Sequence, residues 1–130
     1  MLKNFQNAEV IKQQIISQEY EYFIAFAKNN STQLAVGYCS VKWGAKEQSI
    51  FLSKLYISAQ YRKMGFSKKL LNTVFSKYPI YKYIYLTVNK YNTQSINAYK
   101  ASGFQITDSV VNDIGGGFVM DDYVMTKYNC

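Results

Sequence analysis

Two stretches of this sequence could do chemistry without histidine, which the chain lacks entirely. In the first, Tyr56-Ile57-Ser58-Ala59-Gln60-Tyr61-Arg62-Lys63-Met64-Gly65-Phe66-Ser67-Lys68-Lys69, a strand ends, a loop with one glycine follows and a helix begins. The first turn of a helix carries unpaired N–H groups and a partial positive charge. A loop placed there suits a phosphate. Gly65 lets the backbone approach an anion with no Cβ in the way. Arg62, Lys63, Lys68 and Lys69 add charge, and Ser67 offers a hydroxyl. The plainer alternative is an ordinary strand-to-helix turn with a solvated basic rim. The second stretch runs from Asn92 to Phe104. Asn92 caps a short helix, Ile96 and Tyr99 share a face, and Gly103 ends it. The Tyr99 hydroxyl is a candidate proton donor; core packing is the competing role, and thirteen tyrosines strengthen it.

The elements that must position these residues belong to a chain of 130 residues, read as a single domain over 1–130. Without histidine, Ser-His-Asp and Cys-His hydrolysis, imidazole bases and histidine-rich zinc sites are excluded. Fifteen Lys and Arg against eight Asp and Glu give a net charge of +7. That balance favours anionic partners: nucleic acid, an anionic membrane or a phosphorylated cofactor. Cys39 and Cys130 make no disulfide framework and read as free thiols in a reducing cytosol. No secretory leader opens the chain, and no apolar run reaches the ~20 residues of a membrane helix. The expected location is cytoplasmic, with no membrane partner.

Apolar spacing predicts a helix over Asn4–Gln18, with Phe5, Ala8, Ile11 and Ile15 on one face. Strands over Tyr22–Lys28 and Leu34–Trp43 form a hairpin about Asn29-Asn30-Ser31-Thr32, and a third strand spans Ser49–Ile57. Phe66, Leu70, Leu71, Val74 and Phe75 lie on one helical stripe, with Pro79 beyond its end. Tyr81–Val88 alternates, with Ile84, Leu86 and Val88 facing one way. A helix over Thr93–Ser102 and strands over Phe104–Val111 and Phe118–Lys127 complete the order α-β-β-β-α-β-α-β-β. The fold class is α/β, a mixed, splayed sheet flanked by helices, with parallel pairing around the central crossover.

Taken together, the two stretches carry a resemblance. Arg62-x-x-Gly65-x-Ser67 resembles the Q/R-x-x-G-x-G/A acetyl-CoA loop of the GNAT-type N-acetyltransferases. Leu55-Tyr56-Ile57 resembles that family's bulged strand. Asn92-x-x-Ser95-Ile96-x-x-Tyr99-x-x-x-Gly103-Phe104 resembles its later motif. The tail from Gly116 to Lys127 resembles the last strand pair of small bacterial members, including polyamine-type enzymes. The resemblance implies that the amides of Met64, Gly65, Phe66, Ser67 and Lys68 hold the CoA pyrophosphate, with Arg62 and Lys63 beside them. It implies that Leu55, Tyr56 and Ile57 pair with the pantetheine arm as an added strand. Asn92 would hydrogen-bond that arm. Tyr99 would be the general acid that protonates the leaving thiolate as acetyl passes directly to an amine. The acceptor could be a small amine, a polyamine or a protein N-terminus. No metal is implied, and a homodimer is the family-level expectation.

Three departures qualify the match. Ser67 replaces the usual Gly or Ala. Ser53 stands where relatives often carry a glutamate base, and Glu47 lies in the preceding turn. That leaves the base to a water chain, to Tyr56 or another tyrosine, or to an amine that arrives neutral. The family's first strand and first helix are missing, as in a minimal member, a fragment or a subunit completed by a partner. Two rival classes are a CoA-sensing member without turnover and a basic nucleic-acid-binding module. The clustering of lysines at the loop and the lack of a ribonucleoprotein-type aromatic motif argue against the last. The remaining features have plain readings: Gly115-Gly116-Gly117 as a hairpin turn, Asp121-Asp122 as strand-edge solvation ahead of an amine anchor, and Tyr81, Tyr83, Tyr85 and Trp43 as packing.

Overall fold

A computed structural model of the chain describes residues 11–16, 20–29, 32–115 and 118–129. Along the chain run β1 (Ile11–Ile16), β2 (Glu21–Asn29), β3 (Thr32–Gly44), β4 (Ser49–Ile57), a 3-10 turn (Ala59–Tyr61), α1 (Phe66–Lys77), β5 (Tyr83–Asn89), α2 (Thr93–Ala101), β6 (Gln105–Gly115) and β7 (Phe118–Tyr128). Hydrogen bonding orders the strands β1-β2-β3-β4-β5-β7-β6. Strands β4 and β5 pair in parallel, with Ser49 opposite Tyr83, Ile50 opposite Ile84 and Phe51 opposite Tyr85. The expected mixed sheet with helices is therefore present.

Two compact units divide the described residues. One draws on Met1–Trp43 and Leu52–Ile80, the other on Gly44–Phe51 and Tyr81–Cys130. Strand β4 contributes to both.

In the first unit, β2 alternates strictly: Glu21, Phe23, Ala25 and Ala27 are buried. Helix α1 packs on β2 through the predicted stripe, with Phe66, Leu70, Leu71 and Val74 all buried. The small side chains of Ala25 and Ala27 suit a helix lying over them. Truncating Phe66, 2% exposed, would cost about 3–5 kcal/mol in lost transfer and cavity terms.

The helix expected over Asn4–Gln18 is corrected where it is described. Residues 1–10 and 17–19 lie outside the described residues, and the middle, Ile11–Ile16, is strand β1, antiparallel to β2. In the sequence, a spacing of four between Ile11 and Ile15 fits either period; in β1 a register shift falls between Gln13 and Ile15. Isoleucine is β-branched, and the open edge of β2 offers a row of backbone partners, so pairing wins over a short helical stripe.

The second unit buries Ile50, Ile84, Leu86, Val88, Ile96, Phe104 and Met125. The alternation predicted for β5 holds, but the strand starts at Tyr83 rather than Tyr81. Tyr81 and Lys82 are held instead by bonds outside the strand: Lys82 N–H donates to Gln48 O at 2.7 Å, Lys82 O accepts from Asn129 N–H at 2.9 Å, and Tyr81 O accepts from Asn129 Nδ2 at 2.8 Å. All seven β5 residues pair antiparallel with β7, from Tyr83 opposite Tyr128 to Asn89 opposite Asp122. Gly115 pairs with Phe118; Gly116 and Gly117 of the expected turn lie outside the described residues.

Candidate active site

In the first unit, β4 feeds directly into the glycine loop. Gly37 lets β3 close on the end of β4: a Cβ there would lie 2.6 Å from both Tyr56 O and Ile57 Cδ1. Ser58 N–H then donates to Val36 O at 2.7 Å. The chain passes through the 3-10 turn, whose buried Tyr61 meets Phe66 edge-on with centroids 6.1 Å apart. Arg62 turns back on the strand. Its Nε donates to Ile57 O at 2.9 Å, and its guanidinium stands 6.0 Å from the Tyr56 ring centroid. Arg62 thus fastens the loop to the strand end, a task the sequence did not disclose.

Two left-handed residues follow, Lys63 at φ 64° and Gly65 at φ 87°. That conformation costs a lysine about 1–2 kcal/mol, and such strain is characteristic of ligand-holding loops. Gly65 is the N-cap of α1 and supplies no side-chain cap. The first helical bond runs from Lys69 N–H to Gly65 O at 3.0 Å. The amides of Phe66, Ser67 and Lys68 therefore have no acceptor within the helix. No acidic residue stands in that first turn, and a Cβ at Gly65 would meet nothing within 4 Å. Lys63, Met64 and Lys68 are exposed and Ser67 is half-buried. Along β4, Leu55 is half-buried, Tyr56 exposed and Ile57 buried. These residues come together as a donor-lined, basic loop behind a strand end, which fits the phosphates of a nucleotide-type cofactor.

In the second unit, Asn92 Oδ1 accepts from Ser95 N–H at 3.2 Å and caps α2 as expected. Asn92 N–H donates to Asn89 O at 3.0 Å, linking the cap to the end of β5. Gly103, at φ 101°, ends the helix, and Tyr99 O accepts from both Ser102 and Phe104 N–H at 3.0 Å. Tyr99 is half-buried, its ring 5.5 Å from Phe104 at an interplanar angle of 63°. Asn92 and Tyr99 thus share one short, capped helix.

The carboxylates are distributed differently from expectation. Glu47 accepts from Tyr83 Oη at 2.8 Å, and that bond raises the Tyr83 phenol pKa. Glu21, unmarked in the sequence, is buried beneath the end of α1. It accepts from Tyr78 Oη and pairs with Lys77 Nζ at 2.9 Å. Burial, then Glu21, pushes the Tyr78 phenol pKa up. Trp43 stacks on Tyr78 at 4.8 Å and 8°. Asp121 and Asp122 are not on an edge, because β7 lies between β5 and β6; strand-edge solvation is corrected on that ground. Lys90 Nζ stands 2.6 Å from Asp121 Oδ1. Among the described residues, no group of three or more Cys, Asp or Glu could hold a metal ion. No helix of the described residues is long and apolar enough to cross a membrane.

Comparison with curated proteins gives no match. Among solved structures, the chain is similar to a GNAT family acetyltransferase from Elizabethkingia anophelis with acetyl-CoA bound. The TM-score is 0.72 at 17% identity, over 95% of this chain and 99% of that one. It is also similar to the PaiA N-acetyltransferase of Thermoplasma acidophilum in complex with coenzyme A. There the TM-score is 0.66 at 23% identity, over 85% of this chain and 62% of that one. The chain thus spans less than two thirds of that relative's length. A Vibrio cholerae spermidine N-acetyltransferase chimera gives a TM-score of 0.69 at 17% identity, over 86% of this chain and 67% of that one. The family model for GNAT acetyltransferases matches residues 3–104, which include the loop, the capped helix and its closing glycine. The chain therefore belongs to the GNAT acetyltransferase family.

Proposed function

We propose that this chain transfers the acetyl group of acetyl-CoA directly to an amine. Family membership implies acetyl-CoA-dependent acyl transfer. The observation that carries the reading is the α1 N-terminus: a left-handed Gly65 cap, open space above it and three first-turn amides without helical acceptors. The amides of Met64, Gly65, Phe66, Ser67 and Lys68 hold the pyrophosphate, with Lys63 and Arg62 supplying charge. The pairing of β4 with β5 stops at Phe51. Beyond it, Leu55, Tyr56 and Ile57 offer backbone groups to the pantetheine arm and polarise the thioester carbonyl. Asn92 keeps Oδ1 on the helix cap and turns its amide nitrogen to the arm.

The amine nitrogen attacks the acetyl carbon, the C–S bond breaks, and the departing thiolate takes the Tyr99 hydroxyl proton. An amine that arrives neutral needs no base before attack, but its nitrogen still sheds one proton as the amide forms; that proton passes to water and restores the Tyr99 phenol. Glu47 is held by Tyr83, which leaves the base with solvent or a tyrosine. Isothermal titration with acetyl-CoA tests the reading: saturable binding supports it, and no heat at millimolar cofactor removes it. Tyr99→Phe then separates an enzyme from a CoA sensor, since a sensor keeps its binding and has no turnover to lose.

A further inference from the structure

Three tyrosines stand in a row on three strands of the first unit. Tyr22 of β2 meets Tyr38 of β3 with ring centroids 6.3 Å apart, and Tyr38 meets Tyr56 of β4 at 6.0 Å. The row lies on the sheet face away from α1. On β2 the alternate residues Glu21, Phe23, Ala25 and Ala27 are buried on the side that α1 covers, so Tyr22 points the other way. Cys39 pairs with Phe23 across the ladder and shares its side, which turns Tyr38 away from α1 as well. The ring contact brings Tyr56 to that same face. Tyr22 and Tyr38 are half-buried, and Tyr56 is 49% exposed.

Tyr56 is the middle residue of the strand end assigned above to the thioester carbonyl, so its side chain leaves the backbone beside the reacting group. Two neighbours brace it. Tyr38 is one; the other is the Arg62 guanidinium, 6.0 Å from the ring centroid and itself fixed by Nε to Ile57 O at 2.9 Å. A ring held in this way loses little further freedom when a ligand packs on it. Charge decides what that ligand carries. The sequence has no Asp or Glu between Glu47 and Asp108, while Lys54, Arg62 and Lys63 flank Tyr56 and are exposed. The buried Glu21 is held by Lys77 and Tyr78 at the C-terminal end of α1. A second cation on the acceptor therefore meets like charge and no carboxylate at Tyr56, whereas a neutral ring meets an exposed aromatic surface.

We propose that Tyr56, backed by Tyr38 and Tyr22, is the platform on which the acceptor rests, and that the acceptor is a primary amine with a neutral aromatic ring on a short alkyl tether. This rests on the acetyltransferase reading above. The acceptor's ring packs on Tyr56 in a tilted or offset arrangement, and both partners lose apolar surface to the contact. The tether then brings the uncharged nitrogen to the acetyl carbon held at the same strand end. Tyr56 thus acts on which amine is chosen, through its ring rather than its hydroxyl.

The test measures kcat/KM for phenethylamine, its saturated analogue cyclohexylethylamine and putrescine, with acetyl-CoA affinity titrated separately. The wild type should favour phenethylamine over putrescine by about tenfold or more. Tyr56→Leu should lower the phenyl-to-cyclohexyl ratio by about three- to tenfold; comparing that ratio between proteins cancels the differing basicity of the two amines. Tyr56→Phe keeps the ring and should keep the ratio, even where the lost hydroxyl slows turnover. A Tyr56→Leu protein with the wild-type ratio overturns the platform. Should that variant fail to fold, the wild type alone decides: equal or better use of putrescine overturns the platform. So does a wild type that binds acetyl-CoA and acetylates none of the three amines. A wild type that binds no acetyl-CoA overturns the parent reading instead.

Discussion

Tyr99 and Gly65 carry opposite halves of the proposed chemistry, and their substitutions should fail in different ways. Tyr99→Phe removes one proton donor and keeps the ring against Phe104. It should lower kcat by about 10²- to 10⁴-fold, with little change in acetyl-CoA Kd; unchanged turnover would take the acid role away from Tyr99. Gly65→Glu meets no steric clash, because the space above Gly65 is open. It should abolish cofactor binding through repulsion of phosphate and the cost of φ 87° in a residue with a side chain. Titration of acetyl-CoA into a variant with native circular dichroism checks this. Arg62 is less simple. Its Nε is bound to Ile57 O, so Arg62→Lys should loosen the loop as well as move a charge. Its Kd should rise by more than that of Lys63→Ala.

Elements decide where these residues are held. Gly37 is the position to probe, because a methyl group there would press on the backbone of Tyr56 and on Ile57. Gly37→Ala should cost about 1–3 kcal/mol of stability and weaken acetyl-CoA binding by shifting the end of β4. A denaturant midpoint and a cofactor titration read the two effects. A lone glycine inside a strand pattern can mark close backbone approach, but nothing in the sequence set Gly37 apart, and its partner across the sheet is visible only in the fold. Much else was legible. The α1 stripe, the Asn92 cap, the Gly103 stop and the β5 alternation are local patterns, and local hydrogen bonding or burial enforces each. What stayed hidden is long-range. Ile11 and Ile15 fit helix and strand equally, and the edge of β2 decided between them. Glu21 meets Tyr78 across 57 positions, and nothing near either residue announces the other. Asp122 reads as a solvated strand edge until the strand order puts β7 in the interior.

At the scale of the whole molecule, folding and protonation are linked through two acids of very weak acidity, the buried Cys39 and the half-buried Tyr78. Burial pushes the Cys39 thiol from its ordinary 9.0 up to about 12. The unfolded chain releases that proton above pH 9, whereas the native chain keeps it. Stability is therefore intact below pH 9 and falls between 9 and about 12, by about 1.4 kcal/mol per pH unit for one proton. Tyr78, raised from 10.0, adds a loss of the same sign that begins about a unit higher. Cys39→Ala should flatten the first part of the alkaline decline in urea midpoints; an unaltered slope from pH 9 to 10 would count against the linkage. The same thiol has a practical consequence. Hidden from solvent and held neutral, it can react with an alkylating reagent only when the fold opens. With Cys130 replaced by serine, the labelling rate of Cys39 becomes a clock for opening. Any molecule that binds the folded chain slows that clock in proportion to its occupancy. A library of amines can thus be ranked by protection alone, before any acetylated product has been seen.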